Sequence, residues 1–137
     1  MSDTFSLEGR VAVVTGVSSG IGQAIAIALA RQGAEIAGDY GSNDDGAAAT
    51  VRAVEELGKG ALVVRGDTAD EDHVQALADA AVERFGGLDI WVNNAARILV
   101  RPFFETTTED WHDLLGPNLH GYYHGCKAAA QRMRARG

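Results

Sequence analysis

At 137 residues, 46% hydrophobic and 23% charged, the chain has the length and composition of one globular domain able to bury a core. A net charge of −7 argues against nucleic acid and anionic membranes as main partners, and no apolar run is long enough to cross a bilayer. A single cysteine, Cys126, excludes an intrachain disulfide framework; Met1 to Ser6 has neither the basic region nor the apolar core of a signal peptide, so a cytoplasmic location is expected.

The first predicted element is a buried strand, Arg10-Val11-Ala12-Val13-Val14, rich in β-branched residues. A glycine-rich turn, Thr15 to Gly22, leads into a helix from Gln23 to Arg31, with Gly33 as its stop. Ala34 to Asp39 reads as a second strand, Tyr40 to Asp45 as a loop, and Gly46 to Leu57 as a second helix. Ala61 to Val64 is a third strand, wholly apolar as a strand covered on both faces should be. After Asp67-Thr68-Ala69-Asp70, the spacing of Val74, Leu77, Ala78, Ala81, Val82 and Phe85 predicts an amphipathic helix ended by Gly86-Gly87. Leu88 to Val92 is the fourth strand and Asn93 to Ala96 its turn; Thr106 to Glu109 starts a helix. The last element runs from about Asn118 to Arg136, with Leu119, Tyr122, Tyr123, Cys126, Ala130 and Met133 on one packing stripe.

Strands alternating with helices predict an α/β fold, a three-layer doubly wound parallel sheet (the Rossmann fold), with residues 1–137 as one dinucleotide-binding domain. In the usual strand order the first and fourth strands adjoin at the switch point where ligands bind, and both loop-like motifs follow those strands. Gly16, Gly20 and Gly22 permit a tight bend and close approach to a pyrophosphate, which the positive end of the following helix attracts.

Thr15-Gly16-Val17-Ser18-Ser19-Gly20-Ile21-Gly22 resembles the cofactor motif of the short-chain dehydrogenase/reductase family. The resemblance implies an NAD(P)-dependent oxidoreductase that moves hydride between a nicotinamide and a small alcohol or carbonyl substrate, works as a homo-oligomer and uses no metal. It implies that Gly16, Ser18, Ser19, Gly20, Ile21 and Gly22 hold the cofactor, and that Asp67, with Thr68 beside it, contacts the adenine. It also implies that Asn93-Asn94-Ala95-Ala96 steadies the central strands and lines the adenosine ribose. The family has Gly where Ala96 stands, and Ala96 would be hard to fit if that backbone needs positive φ.

For cofactor choice, neither Asp39-Tyr40-Gly41-Ser42 nor Val17-Ser18-Ser19 contains a basic residue, which favours NAD over NADP. Asp39 is either the ribose ligand or, one position early, a solvated strand end. Asn118 stands where the family has a helix-kinking Asn, the first of its Asn-Ser-Tyr-Lys catalytic set, which holds a water in a proton relay. Pro117 before it fits an interruption of the helix, and a simple cap is the alternative. The Ser, Tyr and Lys lie beyond a fifth strand in the family. The chain is therefore expected to be incomplete at its C-terminal end, truncated after the fourth strand and its helix, and inactive alone. Tyr123 and Lys127 share the Tyr-x-x-x-Lys spacing, but in the wrong helix, so packing is the simpler role for Tyr123. His120 and His124 share a helix face without a third metal ligand, which makes them packing or solvated residues. The nearest likenesses are the 3-oxoacyl-carrier-protein reductase and glucose dehydrogenase branches. A non-catalytic dinucleotide-binding or association module is the alternative from another class. A methyltransferase, the third possibility, is disfavoured by Asn93-Asn94-Ala95 after the fourth strand.

Overall fold

The computed structural model describes residues 4–136; the readings placed on Met1 to Asp3 and on Gly137 lie outside them. Four parallel strands, β1 (Val11–Val14), β2 (Glu35–Tyr40), β3 (Ala61–Arg65) and β4 (Ile90–Val92), form one sheet in the order β3-β2-β1-β4. The expected Rossmann-type arrangement is therefore present, with β1 and β4 adjacent.

Both faces of the sheet are covered, and alternation along β1 divides its residues between them. Ala12 and Val14 pack with Val17, Ala26, Ala30, Ile36 and Val54 beneath α1 (Gly20–Arg31) and α2 (Asp44–Glu56). Val11 and Val13 pack with Ala37, Leu77, Ala81 and Leu88 beneath α3 (Glu71–Phe85) and α5 (Gly121–Arg136). This is the continuous apolar character that a strand buried on both sides requires.

The helix starts follow local capping chemistry. Asn43 accepts from the Gly46 amide and starts α2 at Asp44, ahead of the expected Gly46. Asp70 caps α3 through the Asp72 amide. Thr107 and Asp110 form a reciprocal capping box at α4 (Thr108–Leu115). The helix expected to begin near Asn118 thus begins a full segment earlier. It passes from α4 through a π turn at Gly116–His120 into α5. Pro117 has no N–H to give the Asp113 carbonyl, so the ladder widens there.

Met133 packs against the core as expected, but the rest of the stripe expected to pack α5 faces the other way. Leu119, Tyr122 and Tyr123 are exposed, as are Cys126 and Ala130; the buried face is Gly121, Gly125, Ala128 and Ala129. The reason is distance rather than hydrophobicity. A Cβ at Gly125 would collide with the Asn93 side chain and lie 2.5 Å from Trp91 Nε1, so only small residues admit the helix.

Thr50 is fully buried and holds α2 to α1 and the glycine-rich turn. Its hydroxyl donates to the Val17 carbonyl at 2.7 Å and accepts from Gln23 Nε2 at 2.8 Å. Thr50→Val removes both bonds at constant shape and strands a buried carbonyl. It should lower stability by about 1–3 kcal/mol in a urea titration, whereas Ser42→Ala at the surface should change it little.

Candidate functional site

At the C-terminal ends of β1, β2 and β4 the glycine-rich turn borders an open cleft of about 830 Å³. Gly16 adopts φ +74°, and a Cβ there would lie 3.0 Å from Ala95 Cα. Gly22 has ordinary helical geometry, but a Cβ on it would collide with the Gly16 carbonyl oxygen and the Asn94 amide. The helix begins at Gly20 rather than Gln23, so two motif glycines lie in its first turn. Ser19 is the N-cap and makes no side-chain bond to that turn. The amides of Gly20, Ile21 and Gly22 have no partner among the described residues, which leaves donors and the positive helix end for an anion. Ser18, Ser19 and Ile21 line the same cleft. A dinucleotide pyrophosphate fits these features chemically.

The β4 turn is stitched to this one through Thr15. Its hydroxyl accepts from the amides of Asn94 at 2.9 Å and Ala95 at 3.0 Å, while Asn94 Nδ2 donates to the carbonyls of Thr15 and Gly16. Asn94, Ala95 and Ala96 line the cleft. Asn93 does not: it accepts from Trp91 Nε1 and donates to Cys126 Sγ, towards α5. Ala96 meets no backbone obstacle, since among the described residues every positive φ belongs to glycine.

Asp39 is not a solvated strand end. It is 1% exposed, and its carboxylate accepts from the Gly16 amide at 2.8 Å and faces His73 Nε2 at 3.0 Å. Asp39 lines the cleft with both carboxylate oxygens already engaged by protein partners. His73, in the first turn of α3, was not among the residues singled out by sequence. Its hydrogen bond to Asp39 raises its pKa above 6.5 against the opposing effect of burial, with help from the charges of Asp39, Asp70 and Asp67. Tyr40 borders the cleft, and a hydrogen bond to Asp44 raises its phenol pKa.

Two cations at the cleft also escaped the sequence reading. Arg65 ends β3 directly beside Tyr40 in the sheet register and lines the cleft with Gly41 and Ser42. Strand pairing alone brings it there. Arg97 follows the Asn-Asn-Ala-Ala turn. Its guanidinium donates to the Asp113 carbonyl that Pro117 leaves free, and lies 3.5 Å from Asp67. Its backbone is clamped at both ends by Asn118, which accepts from the Arg97 amide at 2.7 Å and donates to its carbonyl at 2.8 Å. Asn118 is therefore in the π turn, not a helix cap, and its side chain is held by Arg97 through one donor and one acceptor beside the cleft that Pro117 lines.

Asp67 lines the cleft, accepting the Ala69 amide on one oxygen. Thr68 is buried beside it, and its hydroxyl has no hydrogen-bond partner among the described residues. The Tyr123–Lys127 pair lies outside the cleft. Tyr123 is 63% exposed rather than packed, and Lys127 pairs with Glu71 at 2.8 Å, which raises the lysine pKa. His124 Nδ1 hydrogen-bonds to the Thr68 carbonyl oxygen at 3.1 Å. Among the described residues no group of three His, Cys, Asp or Glu is placed to hold a metal ion.

The short-chain dehydrogenase family model matches residues 10–137, nearly the whole chain. The chain belongs to this family. It is 42% identical over 123 residues to 3beta-hydroxysteroid dehydrogenase 1 of Eggerthella lenta, covering 90% of this chain and 47% of that protein. It is 40% identical over 131 residues to an L-rhamnose 1-dehydrogenase (NAD(P)(+)) of a Sphingomonas species, covering 96% and 52%. A crystal structure of a short chain dehydrogenase from Burkholderia cenocepacia in complex with NADP superposes with TM-score 0.89 at 39% identity, over 92% of this chain and 51% of that one. The chain thus spans about half the length of the relatives it matches. The matching family is one of short-chain dehydrogenases, and the Burkholderia relative's structure holds NADP.

In this chain, Gly22→Ala should push α1 away from Gly16. Dinucleotide affinity should fall at least about tenfold, with strand and helix content unchanged by circular dichroism.

Proposed function

We propose that the chain is the cofactor-binding part, one domain, of a cytoplasmic dehydrogenase that moves hydride between a nicotinamide and an alcohol or carbonyl group. The observation that carries this reading is the set of unpartnered α1 amides facing the cleft at the β1–β4 switch point. In this reading the pyrophosphate sits over Gly20, Ile21 and Gly22, with Gly16, Ser18 and Ser19 around it. Asp67 and Thr68 meet the adenine, and Asn94, Ala95 and Ala96 line the adenosine ribose. Asn93 supports that turn from behind through Trp91. The nicotinamide, when bound, accepts or gives the hydride. Asn118 serves a proton relay through its main-chain groups, since its side chain is held by Arg97. The catalytic Ser, Tyr and Lys belong outside these residues, which is why Tyr123 and Lys127 take no such part.

The relatives named for hydroxysteroid and rhamnose oxidation favour a secondary alcohol or sugar-like substrate for the whole protein. The exposed face of Leu119, Tyr122 and Tyr123 favours a homo-oligomer, and the exposed thiol of Cys126 suits a reducing compartment. The lean to NAD rested on the lack of a basic residue at the end of β2, and Arg65 brings a positive charge beside Tyr40 at that place. We therefore assign acceptance of NADP as well as NAD, with Arg65 meeting the ribose phosphate.

Fluorescence titration with NADH and NADPH tests this. Both should bind, S-adenosylmethionine should not, and the chain alone should turn over no alcohol. Arg65→Gln should weaken NADPH about tenfold and leave NADH unchanged. Failure of both dinucleotides to bind, or alcohol oxidation lost in Tyr123→Phe, would contradict the reading.

A further inference from the structure

The pair Asp39–His73 has no place in hydride transfer, yet it lies directly beneath the turn assigned to the pyrophosphate. Asp39 holds that turn twice over. Its carbonyl accepts from the Val17 amide at 2.9 Å and its carboxylate from the Gly16 amide at 2.8 Å. The second carboxylate oxygen faces His73 at 3.0 Å, with the Asp39 side chain 2% exposed and that of His73 14%. The imidazole rests on Gly66, where a Cβ would collide with the ring, so its orientation is set by packing as well as by the bond. A carboxylate this buried is costly unless a positive charge or several donors face it. One neutral amide and one imidazole are what this site provides.

We infer that His73 is a positioning residue for the dinucleotide: in its protonated form it neutralises Asp39, holds the Gly16 turn in register, and so tightens binding of the pyrophosphate. This rests on the dinucleotide reading above. The mechanism is electrostatic. With His73 protonated, the pair carries no net charge and the helix end meets the pyrophosphate unopposed. With His73 neutral, a buried negative charge remains beneath a doubly anionic group. The other groups facing His73 are acids too: Asp70 from the cap of its own helix and Asp67 from the loop after β3, the latter shared with Arg97. All of them favour the imidazolium, and the upward displacement of the His73 pKa has the same sign. By linkage, a ligand that binds more tightly to the protonated form must take up protons on binding.

The test uses the full chain and NADH, whose phosphates stay fully ionised across the range, from about pH 6 to about pH 9. The dissociation constant should rise at least about fivefold with pH, and calorimetry in buffers of different ionisation enthalpy should show proton uptake on the rising limb. Two near-isosteric variants should flatten that dependence. His73→Gln keeps a donor to Asp39 without a titrating charge; Asp39→Asn keeps the Gly16 bond without the buried carboxylate. If a variant fails to fold, proton uptake by the wild type still decides. NADPH gives the same readout as a difference between wild type and variant, which cancels its own phosphate titration. NADH binding that is flat with pH, or a slope that persists in both variants, overturns the role of His73 and leaves the dinucleotide reading standing. Absence of binding by either dinucleotide at every pH overturns both.

Discussion

No side chain fits where α1 meets the end of β1, and the ligand-facing half of the molecule depends on that contact. The Gly22 α-carbon packs against the Gly16 carbonyl and the Asn94 amide, so helix, glycine turn and β4 turn share one small volume. Thr15 and Asn94 then saturate the polar groups enclosed there, which ties the two strand ends flanking the switch point. The consequence is chemical as well as structural. With the enclosed groups paired among themselves, the donors left over are the first-turn amides of α1, and they point at the cleft.

A second seam closes the other side of the cleft, and proline sets it up. Because Pro117 cannot donate to Asp113, the helix widens into a π turn, and the stranded carbonyl is taken by Arg97. The turn carries Asn118 to the Arg97 backbone, where its carboxamide fills one donor and one acceptor. Arg97 also approaches Asp67, so one side chain spans from the β3 loop to the α4–α5 junction. A defect in a helical ladder thus becomes the fastening of a loop.

Periodicity and glycine placement made the fold legible in the sequence. The apolar runs at Val11–Val14 and Ala61–Val64 and the amphipathic spacing of α3 each reappear in place, and the glycine-rich turn follows β1 as expected, though α1 takes up its last three residues from Gly20. What stayed hidden needed partners remote in sequence. Asp39 reads as a strand-end acid until His73 and Gly16 are seen to close over it. Arg65 joins the cleft only through the β2–β3 register, and Arg97 only through the π turn. The face of α5 was misjudged for a related reason. Large apolar residues are the ordinary mark of a buried stripe, but close approach to Asn93 and Trp91 at Gly125 and to Thr68 at Gly121 puts small residues on the buried face instead.

The most direct test of the account is a backbone amide NMR titration of this chain with NADP. The largest shifts should fall on Ser18 to Gly22 and on Asn94 to Ala96, on either side of the β1–β4 junction. Shifts centred on the exposed face of α5, with the glycine-rich turn unmoved, would contradict it.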